Sequence, residues 1–187
     1  MDIRDMTPGT DGTVAEQVLR VQRAAYAVEA ALIGDDRIPA LRETLADLRA
    51  APLHWLGAFG AGREPAGPPD AAPARIHEPG RPREPAGRLV GAVAWTEDAT
   101  MLDIDRLVVD PAAHRRGVGR ALVDAVLARG GDRRVLVATG RANRPARALY
   151  ESSGFIALGD EEPVPGLWIT RYALTPRPGP DRAAPAS

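Results

Sequence analysis

The chain contains neither cysteine nor lysine, and each absence excludes a class of chemistry. Without cysteine there can be no disulfide, no thiolate metal site and no cysteine-linked acyl intermediate. Without lysine the chain cannot form a Walker-type phosphate loop, which requires that residue, or a Schiff base with a carbonyl cofactor. All 24 strongly basic side chains are therefore arginines.

The chain also lacks a strong net charge and long apolar runs. Its formal net charge is -1, which predicts neither a nucleic acid nor an acidic membrane as partner. The first residues lack a signal-peptide core, and no apolar run is long enough to span a membrane, so we expect a cytoplasmic protein. Because His54, His77 and His114 are isolated from one another in the sequence, we predict no metal site.

Length and composition predict one globular domain over residues 1–174. Within it, residues 61–86 contain seven prolines and almost no large apolar side chain. This composition predicts a mobile insertion in a hairpin loop. The same reasoning predicts a disordered tail at residues 175–187.

Two helices and two strands are predicted in the first half of the chain. Thr13 and Glu16 fit a capping box at the start of a long helix. Residues 38–50 place leucines four and three positions apart and predict a second amphipathic helix. Residues 53–59 and 87–97 are rich in aliphatic and aromatic side chains and predict two neighbouring strands.

The second half alternates predicted strands and helices. Residues 101–110 alternate apolar and acidic side chains and then become uniformly apolar, as in a strand buried only at its end. A helix from Val118 to Arg129, a buried strand, a helix capped by Asn143 and a last strand follow. This order predicts an α/β fold with a mixed sheet and at least one parallel crossover.

The segment 114–120, HRRGVGR, lies where a strand is predicted to turn into a helix. The first N–H groups of such a helix lack internal partners and attract an anion, and Gly117 and Gly119 let a phosphate approach the backbone. The three arginines of the segment add positive charge. On these residues alone, an ordinary glycine turn flanked by solvated arginines is an equal alternative.

Three phosphate-bearing cofactors compete for this turn. A dinucleotide is disfavoured because Leu122 stands where the pattern G-x-G-x-x-G needs its third glycine. A nucleoside triphosphate is disfavoured because the chain has no lysine. Coenzyme A, whose pyrophosphate can bind such a turn, is the third possibility.

Two motifs resemble one family. The segment RLVVDPAAHRRGVGRALV is similar to the acyl-CoA-binding signature of the GNAT N-acetyltransferase superfamily, with His114 where that family usually has Gln or Arg. Downstream, NRPARALYESSGF resembles the second signature of the family, N-x-x-A-x-x-L-Y-x-x-x-G-F. It matches at Asn143, Ala146, Leu149, Tyr150, Gly154 and Phe155.

The resemblance implies a GNAT-type fold of six to seven strands with flanking helices, in which acyl-CoA enters a gap between the fourth and fifth strands. It implies acetyl-CoA as the acyl donor and a primary amine of a small molecule or peptide as the acceptor. With no cysteine, the amine would attack the thioester directly in a ternary complex. The cofactor-binding residues implied are Leu107, Val108, Val109, His114, Arg115, Arg116, Gly117, Val118, Gly119, Arg120, Asn143, Ala146 and Tyr150.

The resemblance also implies catalytic roles, each with a structural alternative. Tyr150 would be the general acid that protonates the leaving thiolate, although a tyrosine in an amphipathic helix often only packs. Asp103 and Asp105, expected on one face of their strand, would supply the base, or would simply be solvated charges. Glu29, Trp95 and Asp103 are the candidates for binding the amine.

Several properties stay open at this level. A non-catalytic acyl-CoA sensor or interaction module is the alternative function, and the length of the acyl group is undetermined. The acceptor and the oligomeric state, a homodimer included, are also undetermined.

Overall fold

The computed structural model describes residues 1–60 and 87–175. The predicted insertion at residues 61–86 and almost all of the predicted tail lie outside the described residues. The strands are β1 (Asp2–Asp5), β2 (His54–Gly60), β3 (Arg88–Glu97), β4 (Met101–Val109), β5 (Arg134–Gly140), β6 (Ile156–Val164) and β7 (Leu167–Leu174). The α-helices are α1 (Gly12–Ile33), α2 (Pro39–Arg42), α3 (Leu45–Ala50), α4 (Val118–Gly130) and α5 (Arg144–Ser152).

The seven strands form one mixed sheet in the order β1-β2-β3-β4-β5-β7-β6. Only β4 and β5 run parallel, joined through α4, and all other neighbours are antiparallel. The predicted α/β class with one parallel crossover is therefore confirmed. The edge strands β1 and β6 were not among the predicted strands, and β6 is exposed along its whole length. Within the described ranges, no helix is both long and apolar enough to cross a bilayer.

Helices cover both faces of the sheet. Helix α1 packs Val18 and Val21 against one face, where Ala92 and Val108 belong to the same buried cluster. Helices α4 and α5 cover the other face in a second cluster, to which Tyr150 contributes from α5. The helical spacing of the apolar residues in each helix thus turns one stripe toward the sheet. The two layers leave the ends of β4 and β5 between them.

The first helix begins differently from the sequence prediction. Its N-cap is Asp11, whose Oδ1 accepts a hydrogen bond from the Val14 amide at 3.1 Å. The predicted capping box of Thr13 and Glu16 is therefore wrong, because both residues lie inside the helix. A carboxylate satisfies the free amides of the first turn at least as well as a threonine hydroxyl.

The helix predicted at residues 38–50 is divided into α2 and α3. Glu43 adopts an extended conformation that ends α2, and Thr44 begins α3 with a capping box to Asp47. The Glu43 carboxylate accepts hydrogen bonds from Gln22 and Arg106. The break between the two helices thus lies at a residue whose side chain is held by tertiary hydrogen bonds.

Candidate functional site

A gap opens between β4 and β5. Their pairing runs from Met101 with Arg134 to Ile104 with Val137 and then stops. Beyond that point β4 pairs only with β3, and β5 only with β7. A cavity of about 780 Å³ occupies the gap, and its walls include residues from α1 on one face and from α4 and α5 on the other.

The turn that precedes α4 lines this cavity. Arg115 has a φ of 62° and Gly117 a φ of 77°, so two residues of the turn adopt the left-handed conformation. A non-glycine residue there costs about 1 kcal/mol or more. The amides of Val118, Gly119 and Arg120 donate no hydrogen bond of normal geometry to the described part of the chain. The turn therefore offers free donors at a helix N-terminus, which suits an anion.

Two side chains fix the backbone before the turn. Asp110 is buried, and its carboxylate accepts from the Ala112 amide at 3.0 Å and from Arg88 at 2.6 Å. Burial opposes its ionisation, but the Ala112 amide, Arg88 and Arg20 outweigh burial and hold the pKa of Asp110 below its usual value. The His114 ring lies 3.2 Å from the Val109 carbonyl oxygen through Nε2.

The three arginines of the turn have different surroundings. Arg115 and Arg120 line the cavity, whereas Arg116 is not part of the lining. Arg120 donates to the Ser152 carbonyl at 2.9 Å and to the Ser153 hydroxyl at 3.1 Å, which ties α4 to the end of α5. Much of its hydrogen-bonding capacity is therefore used inside the protein.

Tyr150 lies in the wall that α5 contributes. Its ring is buried against Phe155 and Tyr172, with centroid distances of 5.7 and 5.9 Å. Its hydroxyl makes no hydrogen bond to the described residues, although Tyr150 lines the cavity. Burial first, and then the nearby Tyr26 and Glu29, raise the pKa of Tyr150 above its usual range. The phenol therefore keeps its proton at neutral pH, and its hydroxyl is available to a ligand.

Asn143 caps the N-terminus of α5, as the sequence predicted. Its Oδ1 accepts from the Ala146 amide at 3.2 Å, and both residues line the cavity. The cap fixes the first turn of α5 and so the position of Tyr150 two turns later.

Glu29 reaches the cavity from α1. Its Oε1 accepts a hydrogen bond from the Gly140 amide at 3.3 Å and lies 3.5 Å from the Thr139 hydroxyl. The absence of a side chain at Gly140 leaves room for this carboxylate, since a Cβ there would lie 3.2 Å from the same oxygen. Glu29 makes no ion pair within residues 1–60 and 87–175. A carboxylate is thereby placed across the gap from α5.

The two strand aspartates differ in their relation to the cavity. Ala94 pairs with Arg106 but Trp95 pairs with Ile104, so Asp105 is an extra residue in a β-bulge. A bulge shifts the alternation by one residue. Asp105 lines the cavity, whereas Asp103 lies outside the lining.

Arg106 neutralises the acidic groups near Asp105. It donates from Nε to Asp105 at 2.6 Å and from Nη1 to Glu43 at 2.6 Å. Nη1 also reaches the Gln22 side-chain oxygen at 3.0 Å. The carboxylates of Asp105 and Glu43 are therefore already paired, unlike that of Glu29.

Trp95 lies away from this cavity, contrary to its predicted place on the acceptor side. Its ring is 3% exposed and stacks on His54 at a centroid distance of 5.6 Å. It borders a separate cleft of about 680 Å³, with Leu53 and Arg129 on the other walls. Its strand position turns it into the core beneath α4.

The structure adds several residues to the cavity that the sequence did not indicate. Tyr26 lies one turn before Glu29 on α1, a spacing that places both on one helix face. That spacing is the one signal in the sequence that could have indicated Tyr26 as a cavity residue, but the hydrophobic pattern of α1 explains a tyrosine there equally well. Further members are Leu32, Ile33, Ile38, Thr139, Gly140, Val164, Leu167 and Ile169.

The remaining predicted cofactor residues also border the cavity. They are Leu107, Val108, Val109, His114, Gly117, Val118 and Gly119. A Cβ on Gly119 would lie 3.2 Å from Leu149 and 3.7 Å from Val109, so the turn, α5 and β4 meet closely at this glycine. Among the described residues, no group of three or more His, Asp or Glu side chains could hold a metal ion.

Known proteins resemble this chain over stretches of different length. A family model for an acetyltransferase (GNAT) domain matches residues 83–176. The UPF0157 protein YqkA of Bacillus subtilis is 30% identical over 168 residues, which are 89% of this chain and 42% of that protein. The mycothiol acetyltransferase of Beutenbergia cavernae is 53% identical over 62 residues, 31% of this chain and 20% of that protein.

A solved structure supports the fold over a longer range. The PaiA N-acetyltransferase of Thermoplasma acidophilum, in complex with coenzyme A, aligns with a TM-score of 0.59 at 15% identity. The alignment covers 91% of this chain and 98% of that one. At this identity the likeness establishes the fold alone. The matched part of the chain spans less than half the length of each of the two curated relatives above.

Proposed function

Because the chain belongs to the GNAT acetyltransferase family, we propose that it transfers an acetyl group from acetyl-CoA to a primary amine. The observation that carries the proposal is one cavity that joins free amides at a helix N-terminus, the Tyr150 hydroxyl and the Glu29 carboxylate. These are an anion site, a proton donor and a group that attracts a cation. The acetyltransferase name of the Beutenbergia relative supports acetyl as the acyl group.

The cavity fits the donor in two places. The turn before α4 offers free amides and a glycine at Gly117 to the pyrophosphate, with Arg115 beside them. Residues 107–109 of β4 have no partner strand on the β5 side, so their backbone groups can pair with the amides of the pantetheine arm. The arm then runs from the turn toward the middle of the gap.

Tyr150 and Glu29 then have complementary tasks. The ammonium group of the acceptor gives one proton to Glu29 through water, and the neutral nitrogen attacks the thioester carbonyl. As the C–N bond forms and the C–S bond breaks, Tyr150 protonates the thiolate. The second proton of the nitrogen restores the tyrosine through water. Glu29 takes the role of base in place of Asp103, which lies outside the cavity lining.

Two measurements test the proposal. Acetyl-CoA should raise the thermal unfolding temperature of the full chain, because a ligand that binds only the folded state stabilises it. Thiol release from acetyl-CoA should then increase when primary amines are added. No thermal shift at saturating acetyl-CoA would contradict the proposal, and binding without thiol release over a wide amine panel would favour an acyl-CoA-binding module.

A matched pair of variants tests Glu29. Glu29→Gln should lower kcat/KM for the amine by tenfold or more, ~1.4 kcal/mol in the barrier, while binding of acetyl-CoA is kept. Glu16→Gln removes a carboxylate from an exposed position of the same helix and should leave both quantities unchanged. Equal effects of the two substitutions would refute the role of Glu29.

A further inference from the structure

One end of the cavity is walled by apolar side chains. We define the acceptor end as the part bordered by Leu32, Ile33, Ile38, Val164, Leu167 and Ile169, which come from α1, the residue before α2, β6 and β7. Leu32 and Val164 are 47% and 40% exposed. Large apolar residues with this much exposure stand at an opening rather than in the core.

The acceptor end has one uncompensated charge. Glu29 makes no ion pair with the described residues, and the Gly140 amide orients one of its oxygens. Asp105, the other cavity carboxylate, is paired with Arg106 at 2.6 Å. A cation that enters from this side therefore meets one free carboxylate with apolar walls around it.

From this arrangement we infer that the acceptor is a small primary amine with an apolar carbon skeleton and only one positive charge. The inference rests on the proposed function and narrows it to a substrate class. The ammonium group would reach Glu29, and the carbon skeleton would lie against Leu32, Ile38 and Leu167. A second ammonium on the same skeleton would leave water for an apolar wall without a partner, which is unfavourable.

Two amines of equal length test the inference. The substrates 1-aminopentane and 1,5-diaminopentane differ only in a terminal ammonium group. We expect kcat/KM for the monoamine to exceed that for the diamine by about tenfold or more, because the second charge must be desolvated. Equal values, or a preference for the diamine, would overturn the inference and leave acetyl transfer in place.

A charge placed in the wall should reverse the preference. Leu32 lies three positions after Glu29 on α1, so Leu32→Glu puts a second carboxylate on the same helix face. This variant should reduce the monoamine-to-diamine ratio by about fivefold or more. Ala27→Glu places the same charge at an exposed position of α1 outside the cavity lining and should leave the ratio unchanged. If the two variants behaved alike, the acceptor end would be misplaced.

A binding measurement separates this inference from the proposed function. Each amine is added to the protein saturated with coenzyme A, and the thermal shift is recorded. A larger shift with 1-aminopentane supports the inference even where turnover is absent. No thiol release with any amine overturns the proposed function, whereas an equal or larger shift with the diamine overturns the substrate class.

Discussion

Two neighbouring tyrosines should respond in opposite ways to loss of their hydroxyl groups. Tyr150 and Tyr172 pack with ring centroids 5.9 Å apart, and both are buried. Only the Tyr172 hydroxyl is bonded within the described chain, accepting from Arg147 at 3.0 Å and donating to Glu151 at 2.9 Å. Replacing either tyrosine with phenylalanine removes one oxygen atom and leaves the packing of the two rings in place.

The expected magnitudes follow from these contacts. Tyr150→Phe removes no hydrogen bond within the described residues, so unfolding free energy should change by less than about 0.5 kcal/mol. If Tyr150 is the acid that protonates the thiolate, kcat should fall by about 10²- to 10⁴-fold. Tyr172→Phe breaks both bonds, but Arg147 and Glu151 can turn to water. Its cost should be about 1 kcal/mol, or ~3 °C in unfolding temperature, with kcat unchanged within about twofold.

Thermal unfolding and thiol release on the same preparations separate the two effects. Acetyl-CoA binding, measured by calorimetry, should be close to wild type in both variants. If Tyr150→Phe kept its turnover, the proton would come from elsewhere. If Tyr150→Phe lost as much stability as Tyr172→Phe, the Tyr150 hydroxyl would have a hydrogen-bond partner in the folded protein. It would then not be available to a ligand.

Three further predictions concern the turn, the polar network and pH. Gly119→Val should abolish the thermal shift with acetyl-CoA, because its Cβ alone would already lie 3.2 Å from Leu149, whereas Gly12→Val, with no atom within 4 Å of its Cβ, should keep it. Arg106→Met should lower the free energy of unfolding, measured with urea, by about 3 kcal/mol, because it leaves the carboxylates of Asp105 and Glu43 without their ion pair. Arg129→Met, which removes an exposed ion pair with Asp5, should lower it by less than about 1 kcal/mol. Burial raises the pKa of Tyr150, so its stabilising contribution is complete below about pH 10 and is lost as pH rises further. Tyr150→Phe should therefore lose less stability than wild type above pH 10 in alkaline unfolding, and an equal loss would contradict this assignment.

Local signals predicted the helices near the turn correctly. Gly131 follows the last residue of α4, and Asn143 caps α5, as the sequence indicated. Both features depend on backbone conformation within a few residues, where residue type is decisive. The bulge at Asp105 was not predicted, because it depends on the register of β4 with β3. Nothing in the residues 101–109 marks that extra residue.

The two halves of the cavity differ in how far apart their parts lie in the sequence. The half proposed for the donor comes from two continuous segments, 107–120 and 143–150, whose motifs can be recognised one at a time. The acceptor end joins the neighbouring helices α1 and α2 to the β6–β7 hairpin, which follows them more than a hundred residues later. Glu29 meets the Gly140 amide only because α1 crosses the sheet beside the gap. Side chains that converge through tertiary packing carry no local pattern, so the acceptor preference had to be inferred from the folded chain, whereas the donor site that we propose follows from motifs in the sequence.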